Sequence, residues 1–254
     1  MPYLDASPTS LQRMFGIDDG DLPDAAIVVG QWGQDGYFEH VRATWPNVRD
    51  IEERSVLIEV DGRRIWVSVV FGAPMAAMIA HYAVRLGARA VIQIGSMGGL
   101  APGLSIGDVL VPSLVIGRDG VSRQLSRNKP IEPSADLTDR LVSELSLRIP
   151  DKTVRRGTLV STTSISLERH SDIARWQRNG FAGVEMECAA TISTARHFGA
   201  ATAGAFVLID NIADNHTFFD LTDTQKDRIR AAKDVTLRAS VAAALSYLNT
   251  AERG

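Results

Sequence analysis

The stretch GFAGVEMECAA (180–190) sets two carboxylates, Glu185 and Glu187, around Met186 and ahead of a run, CAATISTARHFG, that is small and apolar for two turns. That run closes on a glycine, as a buried helix does. Acids in a first helical turn offset the positive end of the helix dipole, which accounts for either glutamate alone. It does not account for both of them flanking a methionine before an almost uncharged helix. A further acid ends another apolar run: AFVLIDNIAD (205–214) leads into Asp210, with Asp214 beyond. An acid at the carboxyl end of a buried strand is where α/β proteins bind ligands; capping the next segment is the alternative, open to either Asp.

Glycine-containing strand ends offer the rest of a site. VVGQWGQDG (28–36) places Gly30 and Gly33 after an apolar run, and IGSMGGLAPGLSIGD (94–108) places Gly95, Ser96, Met97, Gly98 and Gly99 after another. Gly72 stands just before a helical pattern that starts at Pro74, a position where proline is tolerated. Such glycines let backbone N–H groups approach a ligand, and helix N-termini favour anions. Each loop taken alone is also ordinary tight-turn sequence. The spacing excludes both a dinucleotide fingerprint and a P-loop.

The elements that must carry these residues alternate. Apolar, strand-like runs lie at 25–30, 55–60, 64–72, 88–95, 108–116, 157–163 and 203–210. Several are continuous rather than alternating, which suits strands buried on both faces. Helical patterns occupy 74–87, 136–147, 172–180 and 184–199, and a long amphipathic segment, 222–248, follows. This order predicts an α/β fold, a mixed central sheet flanked by helices. The polar stretch 117–135 reads as a surface excursion within one domain.

Composition narrows the class. With 254 residues, 45% hydrophobic and 22% charged, the chain has an ordinary globular make-up. A net charge of −3 gives no reason to expect nucleic acid or a membrane surface as partner. The single cysteine, Cys188, makes no internal disulfide, and a reducing cytoplasm is its simplest home. The start, MPYLDASPTSLQRMFG, lacks the basic and apolar regions of a secretory signal. No apolar segment reaches membrane-spanning length.

Taken together, IGSMGGLAPGLSIGDVLVP, GVEMECAA and the strand-terminal Asp210, in this order and spacing, resemble the nucleoside phosphorylase superfamily. That superfamily includes purine nucleoside and uridine phosphorylases and the methylthioadenosine/S-adenosylhomocysteine nucleosidases. The resemblance begins near Ala25 and covers nearly the whole chain, so residues 1–24 are expected as an N-terminal extension to a single domain of residues 25–254. It implies a three-layer fold in which Glu187 binds the ribose hydroxyls and Met186 packs against the sugar. A carboxylate can accept from two adjacent hydroxyls and favour a sugar turning cationic. Glu185 remains either a first-turn acid or a packing partner.

The same resemblance assigns Asp210 as general acid, protonating N7 of a leaving purine. In the family Ser precedes this Asp; here Ile209 does. Uridine phosphorylases carry a Gln/Arg pair in a longer segment before V-E-M-E; the segment is short here, SISLERHSDIARWQRNG (164–180), with no match to that pair, so a purine is expected. Base-facing residues would be Met97, Gly98, Val184 and Ile165, and Ser96 with Gly30 would line the nucleophile pocket.

Two departures bear on the nucleophile. Phosphorylases hold phosphate with arginines at positions that here are Gln34 and Gln93, and a neighbouring subunit often lends a third, a part Arg54 would fill. Glutamine lacks the charge-assisted strength of arginine. Nucleosidases instead orient water with a first-loop glutamate, whose position here is Asp35; a solvent-facing turn is the alternative for that residue. The resulting expectation is purine nucleoside cleavage by water, with phosphate as the close alternative and a non-catalytic nucleoside-binding protein as a third class. The retained Asp210 argues against that third class. No metal and no cofactor are expected, phosphate aside as co-substrate. A small-molecule nucleoside and further copies of the chain, in a homo-oligomer, are the expected partners.

Overall fold

The computed structural model describes residues 7–33, 36–149, 154–214 and 217–251. Its centre is a mixed sheet laid out β2–β3–β4–β1–β5–β8–β7–β6–β9. The strands are β1 (Ala25–Gly30), β2 (Val48–Glu52), β3 (Ser55–Val60), β4 (Arg63–Val70), β5 (Ala90–Gly99), β6 (Val109–Gly117), β7 (Val154–Ser161), β8 (Phe181–Glu185) and β9 (Ala201–Asn211). β5 is the branch point. It pairs in parallel with β1 on one side and β9 on the other, while its last residues, Gly98 and Gly99, pair antiparallel with β8. Because β9 also pairs with β6, the strands β5–β8–β7–β6–β9 close into a ring.

Burial explains the continuous apolar runs. In β1, Ala25, Ile27 and Val29 enter one core cluster while Ala26 and Val28 enter the other. Each face is then covered by helices whose apolar stripes match it. One side carries α5 (Ala135–Arg148) and α8 (Asp223–Ala251), which contribute Leu137, Leu141, Leu237 and Leu248. On the other, α3 (Ala73–Arg85) lies beside α7 (Cys188–His197), whose small residues Ala189, Ala190 and Ala195 allow close approach to the strands. α3 starts where expected, with Gly72 at φ 81° before it and a proline in its first turn.

Several elements differ from the sequence pattern. β2 is a mostly exposed strand and β8 is only five residues long, so neither shows a long apolar run. α1 (Pro8–Phe15), α2 (Tyr37–Thr44) and α4 (Gly120–Ser126) are seven or eight residues each, too short for clear periodicity, and α4 falls inside the polar 117–135 stretch. α6 (His170–Arg178) lies where its pattern predicts. The helix expected over 184–199 instead begins at Cys188, because Val184 and Glu185 belong to β8. Among the described residues no helix is long and apolar enough to cross a membrane.

The segment ahead of β1 is part of this packing. Leu11 and Ile17 are buried in the cluster around Trp66, and Phe15 meets the Trp66 ring edge-on at 5.2 Å. Leu11→Ala should therefore lower the stability of the whole domain by about 2–5 kcal/mol, as for other buried leucines. Urea denaturation measures this; an unchanged midpoint would show α1 to be energetically separate.

Candidate active site

Four strand ends meet at one edge of the ring: Gly30 from β1, Ser96–Gly98 from β5, Glu185 from β8 and Asp210 from β9. They border a cavity of about 410 Å³. The two glutamates divide their work there. Glu185 ends β8, and its Oε2 accepts from the backbone N–H groups of Glu187 and Cys188, both at 2.7 Å. The Ser161 hydroxyl donates to the other carboxylate oxygen and itself accepts from the N–H of Ala189 at 2.9 Å. Three N–H groups at the start of α7, which a helix leaves without internal partners, are thus satisfied by side chains.

Glu187 is thereby released from capping. It occupies the cap position of α7 but makes no side-chain cap bond. One of its oxygens accepts from Gly72 N–H at 2.6 Å. The other lies against Gly30, where an added Cβ would come within 2.7 Å of it. The glycine at the end of β1 is what gives this carboxylate room. Burial raises both carboxyls above their ordinary range, and the Glu187 charge adds to the rise at Glu185; the hydroxyl and backbone donors oppose it.

Asp210 comes from the other side. Its register partner on β5 is Gly98, whose missing side chain leaves Asp210 Oδ1 only 3.1 Å from where a Cβ would sit. Burial pushes its carboxyl up to about 6. Asp214 does not compete for the site, because it accepts from the Asn211 side chain at 2.6 Å. Between Asp210 and Glu187 the walls are apolar: Met97, Val184 and Ile212, with Ile165 half-exposed at the mouth. An acid able to carry a proton at mildly acid pH and a buried carboxylate thus border one cavity with a largely apolar lining. Such a pair can hold a polyol by one end and protonate a heterocycle at the other.

Of the residues singled out from sequence, Gly30, Ser96, Met97, Gly98, Ile165, Val184, Met186, Glu187 and Asp210 all line this one cavity. Gln93, expected in the nucleophile pocket, does not. It is fully buried a layer behind, its amide accepting from Thr191 and donating to Ile94 O at 3.1 Å. Arg54 sits in the turn between β2 and β3 and does not line the cavity; its expected part concerns a neighbouring copy's site. Gln34 and Asp35 lie outside the described residues.

Two charged lining residues escape sequence reasoning. Glu168 lines the cavity near Asp210, and burial, then Asp210 and Asp172, push its carboxyl up to about 7. It stands in the segment read only for a match to the family's Gln/Arg pair. Lys233 borders the opposite end, beside Gly30, and burial lowers its ammonium below the ordinary lysine range. Its signal was present in α8: four residues after Ile229 and three before Thr236, both buried, Lys233 falls on the inward stripe and not on the solvent face.

Comparison with known proteins yields consistent findings. The model of the family described as "Phosphorylase superfamily" matches residues 27–242. A guanosine phosphorylase from Halorubrum lacusprofundi is 26% identical over 235 residues, covering 89% of this chain and 96% of that protein. A 5′-methylthioadenosine/S-adenosylhomocysteine nucleosidase from Haemophilus influenzae is 30% identical over 132 residues, covering 49% of this chain and 55% of that protein.

The division of work between the glutamates is testable by stability. Glu185→Ala strands buried N–H donors and should cost about 3 kcal/mol, whereas Glu185→Gln keeps an acceptor oxygen and should cost less than half of that. Chemical denaturation of both variants measures it. Equal losses would contradict the capping account.

Proposed function

Because the chain belongs to the phosphorylase superfamily, we propose that it cleaves the N-glycosidic bond of a purine nucleoside. One observation carries the reading: Glu187 and Asp210 border a single cavity with an apolar slot between them. In this reading Glu187 accepts hydrogen bonds from the vicinal ribose hydroxyls. As the bond to the base lengthens, the sugar gains positive charge, and an anionic group beside it stabilises that state more than the ground state. Asp210 donates its proton to N7, so that the purine leaves neutral. A carboxyl held near 6 is a far better match to that task than an ordinary aspartic acid.

Glu168 narrows the base. Its carboxylate has no hydrogen-bond or ion-pair partner among the described residues, and it borders the same slot as Asp210. Ionised, as it is above its pKa of about 7, this carboxylate matches two adjacent donors, which N1–H and the 2-amino group of a 2-amino-6-oxopurine present; adenine offers an acceptor at N1 instead. The relative that matches across nearly its whole length is a guanosine phosphorylase. Guanosine is therefore the proposed first substrate to try.

Two measurements test the roles. Glu187→Gln should stay folded and lose on the order of 10²-fold in turnover, as when a transition-state electrostatic partner is removed. Near-normal activity would remove Glu187 from the sugar site. For Asp210 the test is pH. The acid form is present below its pKa of about 6 and disappears above it, so kcat/KM for a purine nucleoside should decline as pH rises through that value. A nitrophenyl riboside, whose leaving group needs no proton, should show no such decline, and Asp210→Asn should damage only the purine reaction. The same decline or damage on both substrates would exclude Asp210 as the acid.

A further inference from the structure

Four carboxyls line the main cavity, those of Glu168, Glu185, Glu187 and Asp210. Three have a place in the fold already. Glu185 holds the start of α7, Glu187 accepts from Gly72, and Asp210 sits against the gap left by Gly98. Glu168 is different. It closes the single turn Ile165–Leu167 ahead of α6, is half-buried, and its carboxyl has no hydrogen bond or ion pair among the described residues. A carboxyl that borders an apolar cavity without a partner is unfavourable until a ligand supplies one.

The charges around Glu168 are mostly of its own sign. Asp210 of β9 lines the same cavity, and Asp172 of α6 lies near enough to repel it. Asp172 engages Arg175 at 2.6 Å. His170, also of α6, lines an adjoining hollow that shares Asp210, and Arg169, next in the chain, is exposed. Glu185 of β8 and Glu187 at the start of α7 add further negative charge to the cavity, and Lys233 of α8 is its one basic side chain among the described residues. In this cluster of acids the Glu168 carboxyl is held up to about 7, so both of its forms are populated near neutral pH.

We propose that Glu168 chooses the base through its own protonation. Ionised, it accepts from N1–H and the 2-amino group of guanine; protonated, it donates to N1 of adenine and accepts from the 6-amino group. This rests on the reading that the chain cleaves purine nucleosides, and goes beyond it by making the preferred substrate depend on pH. A protonated carboxyl carries a donor beside an acceptor, the complement of adenine's N1 and amino edge, whereas the ionised form has acceptors alone. N1 is common to both pairings, so a side chain that no partner holds need only swing from the C2 side of the base to the C6 side. Rising pH removes the Glu168 proton and turns the site toward guanosine; falling pH returns it and turns the site toward adenosine. Both purines take the same Asp210 proton at N7. The loss of that acid form at higher pH is therefore common to the two and drops out of their ratio.

Base release from guanosine and from adenosine, followed in phosphate buffer from about pH 6 to about pH 8, tests this in the wild type and in Glu168→Gln. In the wild type the ratio of kcat/KM for guanosine to that for adenosine should rise with pH, by up to about tenfold per pH unit, as one titrating group demands. Glu168→Gln breaks no side-chain bond within the described residues, and its amide keeps a donor beside an acceptor at every pH. It should therefore favour adenosine, at a ratio flat in pH. Base released from both nucleosides at an unchanging ratio in the wild type would overturn the switch and leave the glycosidic reading intact. The same pH-dependent ratio in wild type and Glu168→Gln would overturn the part given to Glu168. No base release from either nucleoside would sink the broader reading, and this one with it. Calorimetric titration with free adenine at about pH 8, in buffers of different ionisation heat, reads the proton apart from turnover. The wild type should take up about one proton per adenine more than Glu168→Gln does, and equal uptake by the two would overturn the assignment.

Discussion

A helix that begins at a cavity presents main-chain N–H groups which either cap themselves or wait for a ligand. At the start of α7 three of these groups are satisfied from the strands, by Glu185 at the end of β8 and Ser161 at the end of β7. The rest of the site depends on this. Because the cap is supplied from behind, Glu187 is free to turn its carboxylate toward Gly72 and the cavity. The close approach of that carboxylate to β1 in turn demands a residue without a side chain at Gly30. One carboxylate serves the helix and the other faces the ligand space, which is why the sequence needs both.

Closure of the strand ring sets the remaining distances. β5 pairs on both sides and with β8 at its tip, so the ends of β1, β8 and β9 are held against a single strand. Side chains on three separate stretches of sequence thus become parts of one rigid rim. The rim concentrates acids: Glu168, Glu185, Glu187 and Asp210 all border the cavity. Burial pushes all four carboxyls upward, and repulsion adds to it at Glu168, from Asp210 and Asp172, and at Glu185, from Glu187. Among the described residues Lys233 is the one basic side chain on this rim, delivered by a helix that packs on the opposite face of the sheet from α7.

Much of this was legible from residues. The continuous apolar runs located the buried strands, since both faces of β1, β4 and β5 are covered. The pairing of the glycine-rich loop after β5 with V-E-M-E brought nine of the expected positions to one cavity. β8 was not legible, because five residues, two half-buried and then three buried, carry no period, and the helix was read over its last two. Gln93 does not line the cavity, although its amide nitrogen stands behind Gly30, 3.2 Å from where a Cβ would sit. Its amide oxygen accepts from Thr191 of α7, a partner that position along β5 does not reveal. Lys233 was missed because a long charged helix reads as a solvent face unless each lysine is checked against the buried stripe.

The central claim is that this cavity breaks a glycosidic bond and does not merely hold a nucleoside. The most direct measurement incubates the wild-type protein, with phosphate present, with excess guanosine and, separately, uridine, and quantifies free base by chromatography over time. The account predicts guanine in large molar excess over protein, with uracil release slower by orders of magnitude. Guanosine recovered intact, or base formed only up to the amount of protein, would contradict it.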